Sequence, residues 1–105
     1  MIQKIKNMLG IRPKVNLGEL ISSGATILDV RSRGEYSSGH AKGSINIPLD
    51  QLSGYLKKIK SKEHPLITCC ASGMRSASAK TFLKRQGFTN VHNAGPWFIL
   101  NKHCK

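Results

Sequence analysis

The residue best suited to covalent chemistry in this chain is Cys70, which begins the hexapeptide Cys70-Ala71-Ser72-Gly73-Met74-Arg75. A strand-like run, 65–69, precedes it and a helix-like run, 76–86, follows it. A cysteine at such a junction faces backbone N–H groups that lack helical partners, and these donors, with the helix dipole, stabilise an anion. Such settings lower a cysteine pKa to roughly 3.5–7.5, which favours the nucleophilic thiolate. The pattern therefore predicts a nucleophilic cysteine in a cradle for an anionic substrate.

Gly73 supports this interpretation, because glycine alone accepts a positive φ without penalty and so lets the backbone curl around an anion. A cysteine beside a glycine is equally compatible with a small buried residue or a surface thiol of no function. The context favours chemistry. A short apolar strand bounded by Pro65 leads into Cys70, and a helix with an apolar face leads out.

The order of the motifs resembles that of single-domain rhodaneses, a sulfurtransferase family whose active loop reads Cys-x-x-Gly-x-Arg. The resemblance extends over roughly residues 15–100. Its segments are Ile27-Leu28-Asp29-Val30-Arg31, Glu35-Tyr36 with the run Gly39 to Pro48, the loop Cys70 to Ser76, and Gly87-Phe88 with the run Val91 to Trp97.

The resemblance implies that Cys70 attacks the sulfane sulfur of a donor such as thiosulfate, that sulfite leaves, and that a cysteine persulfide remains. A thiol, cyanide or protein acceptor then takes this sulfur. The main-chain N–H groups from Ala71 through Ser72, Gly73 and Met74 to Arg75 would stabilise the anion, and Arg75 is expected to fix the loop by bonding to neighbouring carbonyls. No cofactor is implied.

The supporting residues are Asp29, Arg31 and Glu35, which we interpret as scaffolding beside the loop. A buried carboxylate needs a partner, and Arg31 is the candidate partner for Asp29 or Glu35. Cys69 is expected to point to the opposite side of the sheet from Cys70, because strand side chains alternate. His40 is expected to bond a backbone group, and Trp97 and Phe98 to pack in the core. Cys104 is a candidate second thiol of a sulfur relay.

Three other functions remain open. Phosphatases and arsenate reductases of the same fold use Cys-x5-Arg, whereas four residues separate Cys70 from Arg75, and the shorter loop suits one sulfur better than a phosphate. A non-enzymatic sulfur-carrier or docking module is the alternative within the family. A basic nucleic-acid binder would need a continuous basic patch with aromatic or glycine elements, which the sequence lacks, so no specific nucleic-acid partner is expected.

The composition sets further limits. The 105 residues suffice for one domain, which we place at 15–102 after a basic amphipathic segment, 1–14, whose alternative role is a weak membrane-surface anchor. The net charge of +12 favours small anionic donors and acidic protein acceptors. The three cysteines and four histidines match neither a disulfide framework nor metal spacing. We expect a cytoplasmic monomer with no metal and no membrane span.

Alternating helix-like and strand-like segments predict an α/β fold of three layers, with a small, mostly parallel central sheet and helices on both faces. The strands are predicted at 26–30, 44–47, 66–69 and 90–92, and the helices at 17–21, 34–38, 49–60 and 76–86, with Pro96 opening a final helix. Cys70 then lies at the carboxyl end of its strand, where open α/β sheets hold their sites.

Overall fold

The computed structural model describes residues 15–103, so the predicted segment 1–14 and Cys104 lie outside the described residues. Four strands alternate with helices. In chain order these are α1 (Leu17–Ser22), β1 (Thr26–Asp29), α2 (Arg33–Ser37), β2 (Ile45–Asn46), a 3-10 turn (Leu49–Gln51), α3 (Leu52–Tyr55), a second 3-10 turn (Leu56–Lys58), β3 (Leu66–Cys70), α4 (Met74–Arg85), β4 (Val91–Pro96) and a 3-10 helix (Trp97–His103).

The strands form one sheet in the order β2-β1-β3-β4, and every pairing in it is parallel. Parallel strands end on the same side, so the carboxyl ends of β1 and β3 bring Asp29 and Cys69 into register. Cys70, one residue further, is thereby held at the edge where the crossover connections leave the sheet. The predicted α/β architecture is confirmed.

The two faces of the sheet bury separate apolar clusters. One cluster joins Leu28 and Cys70 to Ala79 and Leu83 of α4, and the other joins Ile67 and Cys69 to Leu100 of the last 3-10 helix. Helix α1 packs on this second cluster, and α3 packs on the first. Helices therefore cover both faces, and the neighbouring cysteines point to opposite sides of the sheet, as strand alternation predicts.

Two predicted elements differ in the structure. The helix predicted at 49–60 is divided into two 3-10 turns around α3, and the N-cap residue of α3, Gln51, has the non-helical torsions φ −107° and ψ 0°. The strand predicted at 90–92 begins at Val91 and continues to Pro96, which is the last residue of the strand. A proline is tolerated there because β4 is an edge strand. The predicted final helix is a 3-10 helix that begins at the next residue, Trp97.

The longer β4 contains a bulge. Its register with β3 changes between Thr68 and Cys69, whose partners are Asn93 and Gly95, so Ala94 is the extra residue. After the bulge, one of the two predicted core aromatic residues is partly buried and the other is exposed. Trp97 packs against the apolar cluster, but the prediction that Phe98 is a core residue is wrong, since 59% of its surface is exposed.

A buried ion pair fixes the turn after β1. The Arg31 guanidinium donates to both carboxylate oxygens of Asp29, the shortest distance being 2.8 Å, and neither side chain is more than 5% exposed. The same guanidinium donates to the carbonyls of Gly39 at 2.6 Å and Glu35 at 3.2 Å. Arg31 thus ties α2 and the chain beyond it to the end of β1, and its carboxylate partner is Asp29.

We predict that Asp29→Asn lowers the free energy of unfolding by about 3 kcal/mol, because it leaves the buried Arg31 charge without its counter-charge. The measurement is urea unfolding at neutral pH. Asp50→Asn is the control, because Asp50 is exposed and its removal should change stability by less than about 0.5 kcal/mol. Equal stability of Asp29→Asn and the wild type would contradict the role given to this pair.

Candidate active site

The predicted loop lies between the end of β3 and the start of α4. Strand β3 ends at Cys70 and α4 begins at Met74, so only three residues connect them. Gly73 caps the helix with φ +107°, the positive value that the sequence predicts for the curl. A side chain at this position would also meet the backbone of Gly95 at 3.3 Å. Both its torsion and its close neighbour therefore restrict this position to glycine.

The Cys70 sulfur is fully buried and is surrounded by hydrogen-bond donors without formal charge. The backbone N–H of Gly73 lies 3.0 Å from Sγ and that of Ser76 lies 3.4 Å from it, both donating to the sulfur. The Ser76 hydroxyl is also a neighbour, at 3.3 Å. These donors hold the cysteine sulfur itself, and the cradle for an anionic substrate stays a prediction.

The pKa of Cys70 is the outcome of two opposing effects. Burial alone raises it, since a thiolate loses its water. The Ser76 hydroxyl, and then the backbone N–H groups of Ser76, Gly73 and Ser72, lower it by hydrogen bonding to the anion, and the net pKa lies below the ordinary value for cysteine. The site thus favours the nucleophilic form of the thiol.

The other loop residues have exposed side chains, and some of them contribute backbone donors. Ala71, Ser72 and Met74 are exposed, and Met74 is 79% exposed at the first turn of α4. Of the predicted N–H donors, those of Gly73 and Ser72 act on the sulfur. The loop therefore binds the sulfur through its backbone N–H groups, and its small or apolar side chains are exposed to solvent.

The Arg75 side chain binds a carboxylate of another helix. Its guanidinium donates to the two oxygens of Glu35 at 2.7 and 2.9 Å, so the expectation that it bonds to loop carbonyls is wrong. The hydrogen bonds from Arg75, followed by those from Ser32, lower the pKa of Glu35 to about 2, and the same contact raises the pKa of Arg75. Glu35 therefore remains ionised at neutral pH and anchors the start of α4 to α2.

Glu35 also holds its own helix. Its carboxylate accepts from the backbone N–H of Ser32, while the Ser32 hydroxyl accepts from the N–H of Glu35, which completes a capping box. His40 donates to the Tyr36 carbonyl at 2.8 Å, the backbone bond that the sequence predicts. Glu35 thus contacts the loop directly through Arg75, whereas Asp29 and Arg31 pair with each other at the end of β1.

Sequence reasoning gave no role to two residues at the site, although one of them, Ser76, ends the predicted loop. Ser76 is fully buried and touches Sγ with both its backbone and its side chain. Asn93 of β4 donates to the Gly73 carbonyl at 3.4 Å and steadies the loop from the other side. A small polar residue in the first turn of a helix that follows a cysteine loop is the signal for Ser76. Asn93 lies on a separate strand and gives no comparable signal.

Within residues 15–103 no group of three or more histidine, cysteine or acidic residues could hold a metal ion. Of the helices in that range, none has the length and apolar character needed to cross a membrane.

We predict that Gly73→Ala destabilises the protein by about 1–3 kcal/mol and slows any reaction of Cys70, because alanine resists a positive φ and its methyl group meets Gly95. Urea unfolding and the alkylation rate of Cys70 measure the two effects. Gly54→Ala is the matched control. It lies in α3 with no atom near a new methyl group, so a change of opposite sign, about 0.5–1 kcal/mol of stabilisation, is expected. Identical behaviour of the two variants would show that the loop does not need its curl.

A family model described as the rhodanese-like domain matches residues 14–94. Thiosulfate sulfurtransferase GlpE of Stutzerimonas stutzeri is 33% identical over 82 residues, which are 78% of this chain and 74% of that protein.

Among solved structures, an E. coli rhodanese with anions has a TM-score of 0.68 at 32% identity, over 71% of this chain and 89% of the other. The human single-domain sulfurtransferase TSTD1 has the same TM-score at 30% identity, over 83% and 93%. The family match covers β1, β2, β3, the cysteine loop and most of β4, and the chain therefore belongs to the rhodanese-like domain family.

Proposed function

We propose that this protein is a sulfurtransferase that carries sulfane sulfur from thiosulfate or a persulfide donor to a thiol, cyanide or protein acceptor as a persulfide of Cys70. The observation that carries the proposal is the set of donors around the Cys70 sulfur, with Gly73 N at 3.0 Å. These donors lower the pKa of Cys70 despite its burial, which favours the anionic, nucleophilic form of the thiol.

The proposed reaction divides into two displacements. The Cys70 thiolate attacks the outer sulfur of thiosulfate, the S–S bond of the donor breaks, and sulfite leaves with its electron pair. A persulfide anion remains on Cys70. An acceptor such as cyanide then attacks the outer sulfur, the new S–S bond breaks, and its electron pair returns to Cys70 as thiolate. No external oxidant or reductant is needed, and relatives named thiosulfate sulfurtransferases support this chemistry.

The position of Arg75 argues against a phosphatase or arsenate reductase. Those enzymes would need the arginine of the loop to bind an oxyanion, but here both sides of its guanidinium are bound to Glu35. The shorter spacing between Cys70 and Arg75 points in the same direction. A sulfur carrier without turnover is the alternative within the family, and a relative named a putative sulfur carrier protein belongs to the same comparison.

The charge of the chain favours anionic partners. Of the five acidic residues, Asp29 and Glu35 are paired with arginines, which leaves few acidic groups to offset the lysines that contribute most of the positive charge. Lys57, Lys58 and Lys60 are exposed on one short stretch. Such a field attracts thiosulfate or an acidic acceptor protein. We place the activity in the cytoplasm, where thiols stay reduced.

We predict that thiosulfate adds one sulfur atom to the wild type at Cys70, that cyanide removes it, and that Cys70→Ser takes up none. Intact-protein mass spectrometry with peptide mapping makes the measurement, and thiocyanate formation gives the turnover. Cys69→Ala is the matched control, since Cys69 is the neighbouring buried thiol on the opposite face of the sheet and its variant should keep the adduct.

The outcomes separate the alternatives. A stable adduct without thiocyanate production would indicate a carrier instead of an enzyme. An undiminished adduct in Cys70→Ser would contradict the assignment of the nucleophile.

A further inference from the structure

The Ser76 hydroxyl has one proton and two neighbours that can accept it. It donates to the Gly73 carbonyl at 3.2 Å and lies 3.3 Å from the Cys70 sulfur. When Cys70 is a neutral thiol, both contacts are satisfied, because the thiol donates to the hydroxyl oxygen and the hydroxyl donates to the carbonyl. When Cys70 is ionised, the sulfur has no proton to give and only accepts. The single hydroxyl proton can then be donated either to the Gly73 carbonyl or to the thiolate, but not fully to both.

A hydrogen bond to a charged acceptor is about twice as strong as one to a neutral acceptor, so the hydroxyl turns toward the thiolate. The Gly73 carbonyl does not lose all its partners in that event. It still accepts from the backbone N–H of Ala77 at 3.0 Å and from the Asn93 side chain at 3.4 Å. The rotation therefore leaves no buried acceptor without a donor, which would otherwise oppose it.

Formation of the persulfide reverses the preference of the Ser76 hydroxyl for the sulfur. Sγ becomes a neutral, two-coordinate sulfur, and the negative charge moves to the outer atom, one S–S bond of about 2.05 Å away. The hydroxyl then gains little from Sγ and the carbonyl becomes its better acceptor. Ser76 is fully buried, so water cannot replace it in either state.

We infer that Ser76 is a two-position hydrogen-bond switch, which donates to Sγ only when Cys70 is a free thiolate and to the Gly73 carbonyl in the thiol and persulfide states. The inference rests on the proposed function for the persulfide state alone. Its consequence is selectivity. Ser76 stabilises the Cys70 thiolate, which is the nucleophile of the first displacement and the leaving group of the second. It does not stabilise the persulfide that forms between them.

The other groups that act on Cys70 stay the same in a Ser76 variant. Arg75 of α4 is neutralised by Glu35 of α2, and Asp29 and Arg31 pair with each other at the end of β1. β4 contributes the neutral Asn93, and Asp50 lies beside Arg75 in a shallow apolar depression. A change in titration can therefore be assigned to the hydroxyl.

The test compares Ser76→Ala with Ser78→Ala, whose serine is exposed on the same helix. The pH dependence of iodoacetamide alkylation is followed at the Cys70 peptide by mass spectrometry, once for the thiol form and once after loading with thiosulfate. In Ser76→Ala the midpoint of the thiol form should rise by about one pKa unit, from the loss of one hydrogen bond to an anion. The midpoint of the persulfide form should not change. Ser78→Ala should match the wild type in both.

Kinetics supply a readout that a merely structural role would not give. At pH values above both midpoints the less stabilised thiolate of Ser76→Ala should take up sulfur about threefold faster, since thiolate nucleophilicity rises with pKa. Release of sulfur to cyanide should slow by a similar factor, because the thiolate is then a poorer leaving group. A loosened site would slow both steps at every pH.

Ser76→Thr retains the hydroxyl and should restore the wild-type midpoint. If Ser76→Ala does not fold, Ser76→Gly takes its place, because it also lacks the hydroxyl and should raise the thiol midpoint in the same way. An unchanged thiol midpoint in Ser76→Ala would overturn the inference, and so would an equal shift in the thiol and persulfide midpoints. Failure of the wild type to take up sulfur at Cys70 is a different result. It would count against the sulfurtransferase function, while the thiol titration, which needs no sulfur donor, would still decide whether Ser76 donates to the thiolate.

Discussion

A sulfur anion with no exposed surface must be stabilised by the protein, and at Cys70 this is done with neutral donors in place of a cation. Backbone N–H groups are free to act in this way only where a strand has ended and a helix has just begun. The junction between β3 and α4 supplies that place, and Gly73 with its positive φ turns the donors inward. The parallel sheet, with helices on both faces, holds this junction at the carboxyl edge of its strands.

The two guanidiniums next to the site serve to hold elements together. Arg31 is buried against Asp29 and ties α2 to β1, and Arg75 joins the start of α4 to Glu35. Each is neutralised by its carboxylate. Under the proposed function, the wider positive surface would therefore attract an anionic donor from a distance. The fixed dipoles of the loop would stabilise the sulfur at close range, where salt screens weakly.

Local pattern predicts much of this structure. The strand before Cys70, the helix after it and the curl at Gly73 follow from neighbouring residues, and the opposite orientation of Cys69 follows from strand alternation. Contacts between distant segments were not predictable in the same way. The partner of Arg75 lies 40 residues away, and the bulge at Ala94 arises from pairing with β3. Ser76 ends the predicted loop, but the sequence did not reveal its contact with the sulfur of Cys70, six positions earlier. The exposed Phe98 shows that hydrophobic character alone does not place a side chain in the core.

The measurement that tests the central claim most directly is a titration of thiolate absorbance, taken as the difference between the wild type and Cys70→Ser. Subtraction removes the contributions of the other two cysteines, so the difference curve belongs to Cys70. An ordinary cysteine titrates near ~8.5. Stabilisation by the loop donors predicts a midpoint below that value, with folding unchanged across the range. A midpoint at or above it would show that burial outweighs the hydrogen bonds, and the loop would then not be a cradle for an anionic sulfur.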